Sequence, residues 1–236
     1  MTLLTLRPRN RRTPGALDLR VLSVEDLSDL AVRLAGRPVP DVRMTEAAFT
    51  AWCPSDVRAE WVDGGVVLMA PVSDEHDDLT TWLIALFRLL AEDEAAGVVR
   101  HDMFVRLPGQ RGRRLPDLMF IAAARSDVVK PTVVDGAPDL VVEVVSRDSQ
   151  SRDRREKYIA YERAGVREYW IIDPLSRTLD AYALERKRYH AIDADKAGWV
   201  ASAVARPFRL KPDLLWQRPL PKVAAALRQM RAARPK

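Results

Sequence analysis

The stretch PDLVVEVVSRDSQSRDRREK, residues 138–157, opens as a run of valines and closes as a run of charges, with one carboxylate, Glu143, among the valines. A central strand is covered on both faces. Glu143, flanked by Val141, Val142, Val144 and Val145, therefore carries a desolvation cost of several kcal/mol unless a partner offsets it. A second carboxylate sits in a matching context: Asp117 follows Pro116 and leads into the apolar run LMFI. Two carboxylates on neighbouring strands make a hard-oxygen site. Such oxygens suit Mg2+ or Mn2+, which binds through one or two carboxylates plus waters and substrate phosphate, and which activates water while neutralising charge on a phosphodiester. Lys157 supplies a third element. It shares a helical face with Ala160, Tyr161 and Ala164 and is expected to point at the sheet rather than into solvent. Singly, each residue has an ordinary explanation: Glu143 in a buried salt bridge with Lys157, Asp117 capping a turn, Lys157 within a solvated charge run that includes Arg152, Arg154 and Arg155. Their conjunction carries the signal.

Elements that position these residues follow from periodicity. Thr45 caps a short helix through Trp52, and AEWVDGGVVLMAP reads as a hairpin around Asp63, Gly64 and Gly65, residue types that tolerate positive φ. Ser73 caps a helix with Asp74 and Glu75 in its first turn and Leu79, Trp82, Leu83, Leu86 and Leu90 on its apolar face, with Gly97 expected as its stop. VVRHDMFVRL, LPDLMFIA and DLVVEVVS read as strands, with the basic loop PGQRGRR between the first two. A helix from about Arg152 to Ala164, stopped by Gly165, leads into the strand EYWIID. Further strands, TLDAYAL and GWVASAV, are expected to extend the same sheet. The fold class is α/β, with a mixed central β-sheet flanked by helices.

At 236 residues and 47% hydrophobic, the chain can bury one full-sized core. Residues 1–40, led by Arg7, Arg9, Arg11 and Arg12 and interrupted by Pro and Gly, read as a basic, partly flexible arm in which only Leu22 to Leu34 has helical apolar spacing; residues 41–216 as the compact domain; residues 217–236 as a basic terminal helix or tail. No apolar run approaches the roughly 20 residues that span a bilayer, and the start MTLLTLRPRNRR lacks a signal-peptide segment. A single cysteine, Cys53, excludes an internal disulfide and a cysteine-cluster metal site. A cytoplasmic protein is expected. The net charge of +5 allows a polyanionic partner without demanding one. His101 and His190 show no ligand-like spacing.

The segments PD at 116–117, PDLVVEVVS and DRREKYIAYERAGVREYWIIDP, with EWVDGGVVLMAPVSDEH before them, resemble the Uma-two family of restriction endonucleases, within the PD-(D/E)XK nuclease superfamily. The resemblance runs from about Met44 to Leu215. It implies a restriction-endonuclease-like core and a divalent metal held by Asp117, Glu143 and the main-chain carbonyl of Val144, with Lys157 assisting catalysis. The superfamily's usual lysine, two residues after the strand acid, is Val145 here, and Lys157 on the next helix takes its place. Glu60 aligns with the family's early acid, either completing the site or forming a hairpin salt bridge. His76 matches a family histidine. A homodimer is also implied, since two sites cut both strands of a duplex.

The expected function is a Mg2+-dependent (or Mn2+-dependent) endonuclease that hydrolyses phosphodiester bonds of DNA. Asp117 and Glu143 hold the metal at the scissile phosphate, and Lys157 shares in stabilising developing negative charge. Arg111, Arg113 and Arg114, just before Asp117, are placed in sequence to contact backbone phosphates, or else form a solvated hairpin tip. The alternative is a catalytically inactive nucleic-acid-binding or interaction module that retains the nuclease fold. A metal-dependent hydrolase with a different substrate is a third reading.

Overall fold

The computed structural model describes residues 17–34, 36–146 and 152–233. Arg7, Arg9, Arg11 and Arg12 lie outside them. In chain order the elements begin with α1 (Val24–Leu34), β1 (Pro38–Arg43), α2 (Glu46–Trp52), β2 (Ala59–Val62), β3 (Gly65–Leu68) and α3 (Asp74–Asp93). Then come β4 (Gly97–Arg100), β5 (Phe104–Arg106), β6 (Gly112–Arg113), β7 (Leu118–Ala122), β8 (Val133–Asp135) and β9 (Leu140–Val144). A helix of mixed winding follows: a π-turn (Arg152–Lys157) continues as α4 (Tyr158–Ala164). The chain closes with β10 (Glu168–Asp173), β11 (Thr178–Glu185), β12 (Arg188–Ala191), β13 (Val200–Ala201), β14 (Arg209–Leu210), α5 (Pro212–Leu215) and α6 (Val223–Ala232).

The first half builds a four-stranded sheet in the order β1-β3-β2-β6. Its hairpin closes through Asp63 and Gly64, at φ 49° and 90°, the paired positive values that match the twist of the flanking strands. Ser23 and Asp26 cap α1 reciprocally, the Ser23 backbone N–H donating to Asp26 and the Asp26 N–H to Ser23 Oγ, each at 3.1 Å. Leu27 and Ala31 of α1 pack with Val39, Val42, Phe49, Trp61 and Leu68. The boundary expected at residue 40 thus falls inside β1, and the segment from Leu19 onward, read as part of a loose arm, is built into this layer. β1 accommodates Pro38 and Pro40 at the sheet edge, where fewer backbone donors are needed.

The central sheet has six strands in the order β12-β11-β10-β9-β7-β4. Only β9 and β10 run parallel within it, and the π-turn and α4 form the crossover between them. All residues of β9 and β10 are buried, which explains their near-continuous apolar character. Alternation then sorts the faces. Val142 and Val144 pack with Leu79, Leu86 and Trp170 on the α3 side, whereas Val141 and Val145 pack with Tyr161, Tyr169 and Ile171 on the α4 side. Glu143, between Val142 and Val144, takes the α4 side. Asp117 shares it, being two residues before Met119 and four before Ile121.

Three sequence expectations change here. VVRHDMFVRL divides at Asp102 (φ 45°) into β4, which joins the central sheet, and β5, which pairs parallel with β8 in a separate ribbon. The α3 helix ends at Asp93. Gly97 instead opens β4, where a Cβ would stand 2.1 Å from the Ile121 carbonyl oxygen. GWVASAV contributes only β13, paired with β14 outside the central sheet, and β12 supplies the edge. The terminal helix α6 buries Ala226, Leu227 and Met230 in the α3-side core.

Candidate active site

Asp117, Glu143 and Lys157 line one cavity of about 40 Å3 with His76, Arg58 and Asp153, enough room for an ion or a few waters. Lys157 reaches it through the π-turn. In an α-helix, at about 100° per residue, side chains five apart diverge by roughly 140°; the i to i+5 winding of a π-turn returns them to one face. Arg152, Asp153 and Lys157 are accordingly all buried, while Arg154 and Arg155 turn outward. Tyr169 steadies the turn, its hydroxyl donating to the Asp153 carbonyl at 3.0 Å.

The Lys157 ammonium, 1% exposed, is 2.8 Å from Glu143 Oε2, 3.1 Å from Asp153 Oδ1 and 3.8 Å from Glu60 Oε1. Tyr161 donates its hydroxyl to the other Glu143 oxygen, Oε1, at 2.8 Å. Asp117 Oδ2 accepts the Val144 backbone N–H at 2.8 Å and lies 3.3 Å from His76 Nε2, while Oδ1 is 3.5 Å from Arg58 Nη2. His76 stands in the first turn of α3, where Ser73 accepts its backbone N–H.

One ammonium shared among several carboxylates cannot neutralise them all. Burial pushes the Glu143 carboxyl up to about 8; Lys157 pulls against this, and Asp117 and Asp153 reinforce it. Burial acts to raise Asp117 too, but hydrogen bonding and charge from His76, with Lys157 and Arg58 behind, hold it well below the usual carboxylate range. Burial would lower Lys157, yet Asp153, Glu143 and Glu60 keep it protonated far above neutrality. His76 is raised despite burial by its bond to Asp117.

Glu60 occupies a neighbouring position. Fully buried, it accepts the Leu115 backbone N–H at 3.0 Å and faces Arg114 at 3.5 Å, and it borders a different cavity from Asp117 and Glu143. Burial is outweighed by Lys157, Arg152 and Arg114, which hold its carboxyl down at about 2. It therefore meets the site through Lys157, and the early acid is placed outside the cavity that Asp117 and Glu143 share.

The three loop arginines separate. Arg111 is exposed, its guanidinium 6.0 Å from the Trp61 ring. Arg113 turns inward to Glu46 Oε1 at 2.8 Å and Arg114 to Glu60, both buried. The expectation of a phosphate-facing trio is corrected for these two, because β6 pairs with β2 and draws the loop into the first sheet.

Sequence reasoning missed Asp153, Arg58 and the hydroxyl of Tyr161. Asp153 had a readable signal, four residues before Lys157; it was absorbed into the charge run. Arg58 meets Asp117 across 59 residues of chain, which no local pattern reveals. All five tyrosines of the chain join one ladder on this face: Tyr161 and Tyr169 at 4.9 Å between ring centroids, Tyr169 and Tyr189 at 6.3 Å, Tyr189 and Tyr158 at 5.1 Å, Tyr158 and Tyr182 at 5.0 Å.

A mixed sheet covered by helices, with buried acids and a lysine gathered on one face, defines an α/β fold of the restriction-endonuclease-like class. A solved structure from Anabaena variabilis ATCC 29413, described as a putative nuclease belonging to DUF820, superposes with a TM-score of 0.62 at 14% identity, covering 73% of this chain and 97% of that one. Residues 46–210 match the family model described as "Uma2: Putative restriction endonuclease", and the chain belongs to that family. No curated protein matches. Among the described residues no helix is long and apolar enough to cross a membrane.

Proposed function

We propose that the protein is a divalent-metal-dependent endonuclease that hydrolyses phosphodiester bonds of DNA. The observation that carries this is the convergence of Asp117, Glu143 and Lys157 on one cavity, in a chain whose family is described as "Putative restriction endonuclease".

The donors suit a hard cation. Among the described residues no three of His, Cys, Asp and Glu form a ligand cluster, so the protein's share is two carboxylates, with waters and the Val144 main-chain carbonyl completing the set, as Mg2+ and Mn2+ accept. The Glu143 carboxyl is raised by burial first, with Asp117 and Asp153 reinforcing it against Lys157, and a cation bound there would favour its ionised form. A bound divalent ion would supply Lewis acidity and a more acidic water. The Val144 N–H orients Asp117, and Tyr161 orients Glu143. Lys157, held protonated by its carboxylate neighbours, stands ready to donate to a phosphoryl oxygen as negative charge develops there. The same proposal takes the protein as a cytoplasmic homodimer with one site for each strand of a duplex.

Incubation of single- and double-stranded DNA and RNA with the protein and Mg2+, Mn2+ or chelator tests this. Cleavage of DNA that chelator abolishes is expected, as is its loss in Asp117→Asn and Glu143→Gln. Metal-independent binding of DNA without cleavage would favour the inactive binding module instead.

A further inference from the structure

Among the described residues four arginines are buried: Arg113, Arg114, Arg152 and Arg209. Three of them have a carboxylate close by, Arg113 at Glu46 (2.8 Å), Arg114 at Glu60 (3.5 Å) and Arg209 at Asp195 (3.9 Å). Arg152 stands in no ion pair among the described residues. Among the described residues its hydrogen bond is a long donation from Nη1 to the Gly36 carbonyl at 3.4 Å, and its Nε, fully shielded, has no hydrogen-bond partner, while Glu60, Asp153 and Glu143 act on it by charge from farther off. A guanidinium carries five N–H donors in a planar fork, and burying one without a contacting acceptor is costly.

The position of this cation is informative. Arg152 lines the cavity that holds Asp117, Glu143 and Lys157, and the π-turn sets it on the same face as Lys157. It also borders the cavity beside Glu60 and acts on that carboxylate by charge, but it makes no ion pair with it, and the closer contacts of Glu60 are with Leu115, Lys157 and Arg114. The acceptor that fits the free edge is an anion with several oxygens in fixed geometry, and a phosphate diester meets a guanidinium in that way.

We propose that Arg152 is the phosphate-recognising residue of this site, its free guanidinium edge taking a non-bridging oxygen of the phosphate that enters the Asp117–Glu143 cavity. The assignment rests on the nuclease proposal for its substrate and extends it by naming the group that holds the phosphate. Arg152 gives the metal no ligand; its work is to bind and orient.

The test uses the full chain, with inorganic phosphate as probe in the presence of Mg2+. Phosphate should raise the melting temperature of the unsubstituted protein, and Arg152→Gln should abolish that response while the stabilisation by Mg2+ alone persists. In cleavage assays Arg152→Gln should lower kcat/KM by roughly 10- to 100-fold, the usual scale for a lost hydrogen bond to a charged group. Should Arg152→Gln fail to fold, Arg152→Lys keeps the charge but lacks Nε and the fork, and its phosphate response should be weaker than that of the unsubstituted chain.

Wild-type phosphate response and kcat/KM in the foldable variant would overturn the inference. So would a variant that merely melts lower, is restored by adding Glu60→Gln, and binds phosphate unchanged, since Arg152 would then serve only to offset Glu60. Failure of the nuclease proposal looks different: the unsubstituted protein would cleave no nucleic acid with any metal, yet bind phosphate in an Arg152-dependent way, which supports the anion site alone.

Discussion

Tyr161 and Lys157 hold opposite oxygens of Glu143: the tyrosine hydroxyl donates to Oε1 and the ammonium meets Oε2, both at 2.8 Å. Residues four apart on one helix thereby fix a carboxylate on the strand beneath. Tyr161→Phe removes one of the two anchors with no change of shape. We expect a loss of about 1 to 2 kcal/mol of stability and a fall of about 10- to 100-fold in Mg2+ affinity or turnover, as found for residues that orient metal ligands. Titration of the melting temperature with Mg2+ reads this, and an unaltered Mg2+ midpoint would remove Tyr161 from the site.

Lys157→Ala strands Glu143 and Asp153 without their shared cation. The metal-free protein should lose about 3 to 5 kcal/mol, measured by urea unfolding, and Mg2+ should restore part of it by supplying positive charge. Single-turnover cleavage should fall by about 10²-fold or more, even where Mg2+ has restored folding. Wild-type turnover would rule out a catalytic role for the lysine.

Acid titration has a definite sign. Glu143 is pushed up to about 8 from an ordinary 4.5, so over that range the folded chain keeps a proton the unfolded chain has released. Through this group the metal-free protein loses stability as pH rises from about 4.5 to 8. His76, raised from 6.5, adds stability that is complete below that value and fades as pH rises through its folded pKa. Asp117 and Glu60, both held low, contribute stability that is complete above the ordinary carboxylate range and fades only on acidification. Glu143→Gln should therefore show a shallower decline in urea-unfolding free energy between pH 5 and 8 than the unsubstituted chain. Parallel curves would mean that Glu143 ionises normally.

The split among the loop arginines predicts two phenotypes. Arg111→Ala should weaken DNA binding evenly across sequences and reduce the slope of log affinity against log salt by about one, the loss of a single phosphate contact. Arg113→Ala should instead lower stability, because it leaves Glu46 with Arg106 as its remaining partner. Binding isotherms at several salt concentrations, beside thermal melts, separate them; a salt slope unmoved by Arg111→Ala would leave that residue as solvated surface.

Much of the site was legible because its signals are local. Glu143 contradicts the valines around it, Ser73 and Gly165 mark helix ends by their own chemistry, and the Asp63–Gly64 turn declares its backbone angles. These are short-range constraints that neighbours in sequence impose. What was not legible depends on distant chain. The π-turn has the same composition as an ordinary charged helix, so the inward turn of Arg152 and Asp153 could not be read from a 3.6-residue period. Arg113 and Arg114 look like a solvated hairpin tip until β2 and Glu60, some fifty residues earlier, pull them in. In the N-terminal segment the helical spacing from Leu22 to Leu34 marks α1, but what that helix packs on, the face of the first sheet, is again set by distant chain.

The tyrosine ladder divides the aromatic residues by chemistry as well as by place. All five tyrosines lie in or against the core on the Glu143 face, whereas the six tryptophans belong to the other two cores, Trp52 and Trp61 under α1 and Trp82, Trp170, Trp199 and Trp216 on the α3 side. Light absorbed by the two chromophores thus samples different layers of one molecule. Tyrosine second-derivative absorbance follows the lysine-bearing helix and its strand, and tryptophan emission follows the packing around them, so a loosening confined to the candidate active site registers in one optical channel before the other without any added label.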